Sequence, residues 1–238
     1  MTRESDPAPR VNELGQPIGP AVPGFRPPPR PQRAVLSGRY CRLEPLDASR
    51  HAPGLHAANS LDREGRMWTY LFSGPFTSEE EFSSWLESRE DSLDPLYYAI
   101  VDLRLAQPTG LASYLRIDVA QGTIEVGHLA FSPLLQRTRA ATEAMYLMMK
   151  HAFELGFRRY EWKCDALNAA SRRAAERLGF RFEGVFRQAV IYKGRNRDTA
   201  WYSVLDREWP ERAAAFEAWL GPANFDTEGR QRRPLTGA

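Results

Sequence analysis

Residues 161–184, EWKCDALNAASRRAAERLGFRFEG, compress a strand, a loop, a helix and the start of a second strand into one segment. Glu161–Cys164 mixes apolar and polar side chains in the manner of a partly buried strand. Asp165 and Asn168 break that pattern, and Asn168 suits an N-cap because its side-chain oxygen can accept from an open backbone N–H one turn on. Ala169–Leu178 is rich in helix formers, with Ala170, Ala174 and Leu178 spaced four apart. Gly179 supplies the left-handed residue that ends the helix, and Phe180 and Phe182 restart a period of two. Asn168 and Ser171 therefore fall where a strand ends and a helix begins, and in open α/β sheets ligands gather beyond the carboxyl ends of strands.

Working outward, Val35–Leu46, Leu96–Leu103, Gly110–Val119, Thr123–Phe131, Arg159–Cys164, Phe180–Tyr192 and Thr199–Leu205 read as strands, about seven in all. Residues 48–59, 79–89, 140–155 and 207–220 read as helices, with Thr77 or Ser78 capping the second. RMWTYLFSGPF, 66–76, is a loop with large apolar side chains. Residues 1–33 form a Pro-rich arm holding nine of the 18 prolines, because proline removes backbone donors and favours extended chain. That arm is either disordered or draped over the core or a partner subunit, and its five arginines (Arg3, Arg10, Arg26, Arg30, Arg33) favour an acidic surface only weakly. Residues 34–221 form one domain, and 222–238 read as a loose tail.

The 238 residues are enough for one sizeable core. A net charge of +2 demands neither nucleic acid nor an anionic membrane. No apolar run is long enough to span a bilayer and no signal-peptide h-region is visible, so a cytoplasmic protein is expected. Cys41 and Cys164, far apart in sequence, read as reduced, partly buried thiols. Residues 125–144, EVGHLAFSPLLQRTRAATEA, describe a strand, a loop and a helix start, where free N–H groups and the positive dipole end can hold a phosphate without a metal.

Asn168-x-x-Ser171, Ala175-Glu176-x-Leu178-Gly179-Phe180-x-x-Glu183-Gly184 and the continuation Phe186–Pro210 resemble the GCN5-related N-acetyltransferases (the GNAT superfamily), in the branch that contains RimJ and RimL. The resemblance covers roughly residues 35–210. It implies an α/β (α+β) fold with a central mixed, mostly antiparallel twisted sheet flanked by helices, and acetyl-CoA as co-substrate with no metal. It further implies cofactor contacts from Leu129, Ala130, Phe131, Gln136, Arg137, Thr138, Arg139, Ala140, Ala141, Thr142, Asn168 and Ser171. The chain departs from the family's Arg/Gln-x-x-Gly-x-Gly/Ala loop by carrying Arg137 and Arg139 where glycines are usual. Glycine lets a backbone approach phosphate closely, whereas arginine offers charge-assisted hydrogen bonds instead.

Acetyl transfer to an amine needs a path for the amine's proton, donors for a developing oxyanion and a donor to the leaving sulfur. The resemblance places Glu125 as the base, directly or through water, with His128 as the alternative, and Leu129 or Ala130 N–H as the oxyanion donor. Many family members carry a tyrosine on the helix after the Asn, where this chain has Arg173-Ala174-Ala175, so Ser171 is the expected donor to the thiolate. Glu143 reads as structural.

The acceptor is expected to meet Trp68, Tyr70, Tyr114 and Tyr192. Lys193, Arg195 and Arg197 flank a turn at Gly194 and fit either a carboxylate-bearing amine, an acidic peptide N-terminus, or a solvated hairpin. The expected acceptor is thus a small-molecule amine or a protein N-terminus, handled by a monomer or homodimer. The alternative is a non-catalytic acyl-CoA-binding or assembly protein on the same fold.

Overall fold

The computed structural model describes residues 10–235, so Arg3 and the rest of residues 1–9, like the last three residues, lie outside the described part. A small exposed hairpin, β1 (Arg10–Val11) and β2 (Pro17–Ile18), precedes the domain. Beyond it, Pro28 and Pro31 are buried, Tyr98 Oη donates to Gln32 O (3.2 Å), and Arg33 donates to Leu46 O (2.7 Å) and to Glu90 O. Of the alternatives open for the arm, its second half is draped over the core.

The chain then runs β3 (Leu36–Ser37), β4 (Cys41–Pro45), α1 (Ala48–Asn59), α2 (Glu79–Glu90), β5 (Leu96–Asp102), β6 (Gln107–Asp118), β7 (Thr123–Phe131) and α3 (Arg139–Glu154). It closes with β8 (Arg159–Asp165), α4 (Ala169–Arg177), β9 (Arg181–Tyr192), β10 (Arg195–Leu205) and α5 (Trp209–Leu220). Strands β3 to β10 form one mixed sheet in the order β3-β4-β5-β6-β7-β8-β10-β9, antiparallel except for the β7–β8 pair. It has eight strands rather than about seven, because 35–46 divides at Gly38, where a Cβ would run into the Glu143 carboxylate. Glu143, in the second turn of α3, accepts from the N–H groups of Arg39 (2.8 Å), Tyr40 (2.5 Å) and Cys41 (2.8 Å), which fixes the 38–41 turn to the helix.

Every residue of β5 is buried, and its side chains alternate between two clusters. Leu96, Tyr98 and Ile100 face the main core under α3 and α5, while Tyr97 and Ala99 face the second cluster under α1 and α2. Burial on both faces is why this central strand reads as a continuous apolar run. The same alternation governs β6 and β7: Ala112, Tyr114, Ile124 and Val126 point into the main core, leaving Ser113, Glu125 and Gly127 on the other face.

The C-terminal segment differs from the loose tail expected. Phe225 and Leu235 are buried, Trp219 Nε1 donates to Gln231 Oε1 (2.9 Å), and buried Asn224 binds Trp219 O and Arg233 O. These contacts hold residues 222–235 against α5 and the start of α3.

Candidate active site

Strands β7 and β8 pair over only four positions, Thr123↔Arg159 to Val126↔Trp162, and then part. The separation begins where β7 bulges. Its register against β6 slips between Gly127 and Ala130, and His128 takes the left-handed conformation (φ 50°). On the other side Asp165 ends β8, with its carboxylate accepting from Leu167 N, and Asn168 caps α4 by accepting from Ser171 N (3.0 Å). Two cavities meet in this split, and both are lined by Met67, Tyr70, Leu129, Trp162, Asn168 and Ser171.

The larger cavity, about 1540 Å³, lies over the N-terminus of α3. Thr138 caps that helix by accepting from Ala141 N (3.1 Å), and Gln136 Nε2 holds the loop by donating to Phe131 O (2.8 Å). The N–H groups of Arg137, Arg139 and Ala140 have no partner among the described residues, which leaves the positive dipole end of 16-residue α3 open to the cavity. Arg39, Arg66, Arg104, Arg137, Arg139, Arg173, Arg177 and Arg230 line the cavity against Asp62, Asp102 and Glu228, a strongly positive balance. Arg137 adopts φ 61° in a position that would suit glycine, and its side chain is exposed. Arg139 lies between the rings of Tyr40 and Phe225, 4.8 and 4.7 Å from their centroids, so the C-terminal segment helps build this wall.

The smaller cavity, about 350 Å³, is bounded by the 67–72 loop, β7, β8 and β10. Glu125, 4 % exposed, is gripped through Oε2 by Arg116 (2.6 Å) and Lys163 (3.0 Å). Lys163, its side chain also 4 % exposed, continues to Glu161 (2.7 Å) and sits 3.6 Å over the Trp201 ring. Glu161 in turn meets Arg159, which binds Glu183, so opposite charges alternate across the sheet. His128 bonds Ser113 Oγ through Nδ1 (2.9 Å) and lies against Tyr97. Burial, then the nearby Arg89 and Arg116, lower its pKa to about 4, so it is neutral at neutral pH.

Among the residues expected at a cofactor site, all line the larger cavity except Ala130, which is buried beneath it. Glu125 and His128 line the smaller one, and Ser171 stands at the junction. Tyr70 lines both cavities, whereas the other three expected acceptor residues line neither. Tyr114 is a correction: its side chain is fully buried on the α3 face and donates to Met148 O (2.6 Å), one residue out of phase with Ser113. Trp68 is buried against Phe76, and Tyr192 is a buried support, its phenol donating to Asp165 (2.8 Å) and pushed up to about 12 by burial and that bond.

Sequence reading missed Trp162 and Met67. Trp162 Nε1 donates to Ser171 Oγ (3.0 Å), and the period of Tyr160, Trp162 and Cys164 along β8 was the available signal. Cys41 and Cys164 are both free and buried, and burial raises both thiols. Among the described residues no group of three or more His, Cys, Asp or Glu is arranged to hold a metal, and no helix is long and apolar enough to cross a membrane.

A family profile described as Acetyltransferase (GNAT) domain matches residues 41–181. The crystal structure of a GCN5-related N-acetyltransferase from Brucella melitensis is 48 % identical, with 90 % of this chain and 97 % of that one covered at a TM-score of 0.88. The uncharacterized N-acetyltransferase YnaD of Bacillus subtilis (strain 168) is 30 % identical over 88 residues, which span 37 % of this chain and about half (51 %) of that relative. RimL, a ribosomal L7/L12 alpha-N-protein acetyltransferase also solved in complex with coenzyme A, shares the fold at 22 % identity and a TM-score of 0.63, over 76 % of this chain and 99 % of that one.

Proposed function

Because the chain belongs to the GNAT acetyltransferase family, we propose that it moves an acetyl group from acetyl-CoA directly to the primary amine of a small molecule or a protein N-terminus. The observation that carries this reading is the meeting of an arginine-rich cavity over an open helix start with a smaller cavity at Leu129 and Ser171. The open N–H groups of Arg137, Arg139 and Ala140 and the surrounding guanidinium groups fit a pyrophosphate. Acetyl-CoA supplies a thioester as acyl donor.

Three groups then divide the work. Ala130 O lies 3.0 Å from where a Cβ on Gly110 would sit, so Ala130 faces β6; strand alternation turns the Leu129 N–H toward the split, where it can donate to the developing oxyanion. The Ser171 oxygen accepts from the Trp162 indole, which leaves its own O–H to donate to the leaving sulfur and polarises it for that task. As the C–N bond forms and the C–S bond breaks, the amine's proton passes through water to Glu125 Oε1, the oxygen that neither cation holds. His128, neutral and on the same cavity wall, is the second acceptor.

Calorimetric titration with acetyl-CoA, followed by thiol release in the presence of amines, tests the whole reading. Saturable binding with amine-dependent thiol release supports it, and Glu125→Gln and Ser171→Ala should each lower kcat by about 100-fold or more. Binding without transfer to any amine would leave the acyl-CoA-binding role; no binding would remove both.

A further inference from the structure

Three basic residues crowd the β9–β10 hairpin, and their side chains are spent differently. Lys193 Nζ donates to the carbonyls of Trp68 (2.9 Å), Ser73 (3.2 Å) and Gly74 (2.6 Å), and Arg195 donates to Thr69 O (2.7 Å). Both latch the hairpin onto the aromatic loop. Arg197 is different. It is 8 % exposed, it lines the smaller cavity, and among the described residues its only side-chain hydrogen bond is from Nε to Thr199 Oγ1 (3.1 Å). Its terminal nitrogens have no hydrogen-bond or ion-pair partner among the described residues, although its guanidinium lies 5.5 Å from the Phe72 ring.

An unpaired buried charge is costly, and buried charges are ordinarily paired. The other charged groups of this cavity are already committed. Glu125 holds Arg116 and Lys163, and Asp165 accepts from Tyr192 and Leu167 N. The lining thus carries three positive and two negative side chains, and the surplus is Arg197. The volume, about 350 Å³, lies at the small end of ligand cavities.

We propose that the acceptor is a small amine that also carries a carboxylate, of about amino-acid size, and that Arg197 binds this carboxylate in the smaller cavity while the amine faces Leu129 and Ser171. A planar guanidinium with both terminal nitrogens available takes a carboxylate in bidentate fashion, which fixes orientation as well as charge. A polyamine would add charge to a cavity already positive, and a neutral peptide N-terminus would leave Arg197 unpaired. The proposal rests on the acetyltransferase reading of the same site.

The test pairs free amino acids with their own amides as acceptors in the thiol-release assay, with a tetrapeptide amide and a polyamine alongside. The amide has the more readily deprotonated amine, so intrinsic chemistry favours it, and any preference for the acid comes from the site. The acid of at least one pair should be preferred in kcat/KM by about 100-fold, the scale of a lost hydrogen bond to a buried charge. Arg197→Gln should collapse that preference to within about threefold, and Arg197→Lys should restore part of it. In parallel, N-acetyl amino acids and their amides are titrated against Trp162 and Trp201 fluorescence, a readout that needs no turnover. Acid-selective binding that Arg197→Gln abolishes, without acetyl transfer, would keep this inference and sink only the acetyltransferase reading. Transfer or binding with no preference for the acid in any pair, or with the polyamine or peptide amide favoured, overturns the carboxylate site.

Discussion

The two cavities differ in how their charge is held. In the larger one Arg137 and Arg139, the cations at the helix start, have no ion-pair partner among the described residues, and Arg137 is exposed. In the smaller one a network is centred on buried Glu125 and Lys163: Glu125 holds Lys163 and the half-exposed Arg116, Lys163 also holds Glu161, and Arg197 stands outside it. A solvated guanidinium costs the fold little and can wait for a phosphate. A buried network must be complete before anything binds. The first wall should therefore tolerate substitution in the free protein, and the second should not.

Lys163→Met is the severest way to break this comparison. It removes the cation between Glu125 and Glu161 and leaves Glu161 with Arg159 and Glu125 with the half-exposed Arg116. Losing one partner of such a buried pair costs about 3–5 kcal/mol, whereas Arg137→Ala should change stability by less than about 0.5 kcal/mol. Urea denaturation of the two variants compares them directly, and equal losses would erase the distinction.

The smaller cavity should also record pH. The folded-state pKa of His128 lies at about 4, below the ordinary 6.5, because of burial first and Arg89 and Arg116 second. As pH falls through 6.5 the unfolded chain takes up the proton first. Stability from this group is therefore complete above about 6.5 and is lost progressively down to about 4, by about 3 kcal/mol over that window. His128→Asn should flatten this part of the stability profile. A variant that loses stability between pH 6.5 and 4 just as the parent does would show that His128 is not the group responsible.

What the sequence revealed follows the same division. Segment 161–184 could be read because each of its signals is local: Asn168 caps the helix it precedes and Gly179 (φ 89°) ends it. Thr123–Phe131 was legible for the same reason, since its period of two lies within one strand. Tyr114 was misplaced because its role depends on strand phase: a slip of one residue exchanges it with Ser113, which touches His128. The C-terminal segment looked loose because nothing in 222–235 announces that Phe225 will pack beside Arg139 and Trp219. The different fates of Lys193, Arg195 and Arg197 were equally hidden, since they depend on the loop at 66–76, more than 100 residues away.

Smaller effects sharpen the comparison within the core. Tyr160 is fully buried and its phenol oxygen has no hydrogen-bond partner among the described residues. An unsatisfied hydroxyl costs about 1 kcal/mol or more, so Tyr160→Phe should raise stability by roughly that amount. A loss of stability in the melting curve would mean that the hydroxyl is satisfied in solution.

The last prediction concerns Arg137, where the chain departs from the family's glycine. At φ 61° an L-residue bears about 1–2 kcal/mol of steric cost that glycine does not. Glycine, however, adds about 0.5–1 kcal/mol of unfolded-chain entropy. Arg137→Gly should thus leave the protein up to about 1.5 kcal/mol more stable. If the guanidinium replaces what a closer backbone approach would give, the same variant should bind acetyl-CoA about tenfold more weakly, the scale of one charge-assisted hydrogen bond. Tighter binding would mean the opposite: the open N–H groups of Arg137, Arg139 and Ala140 do the holding, and the side chain stands in their way.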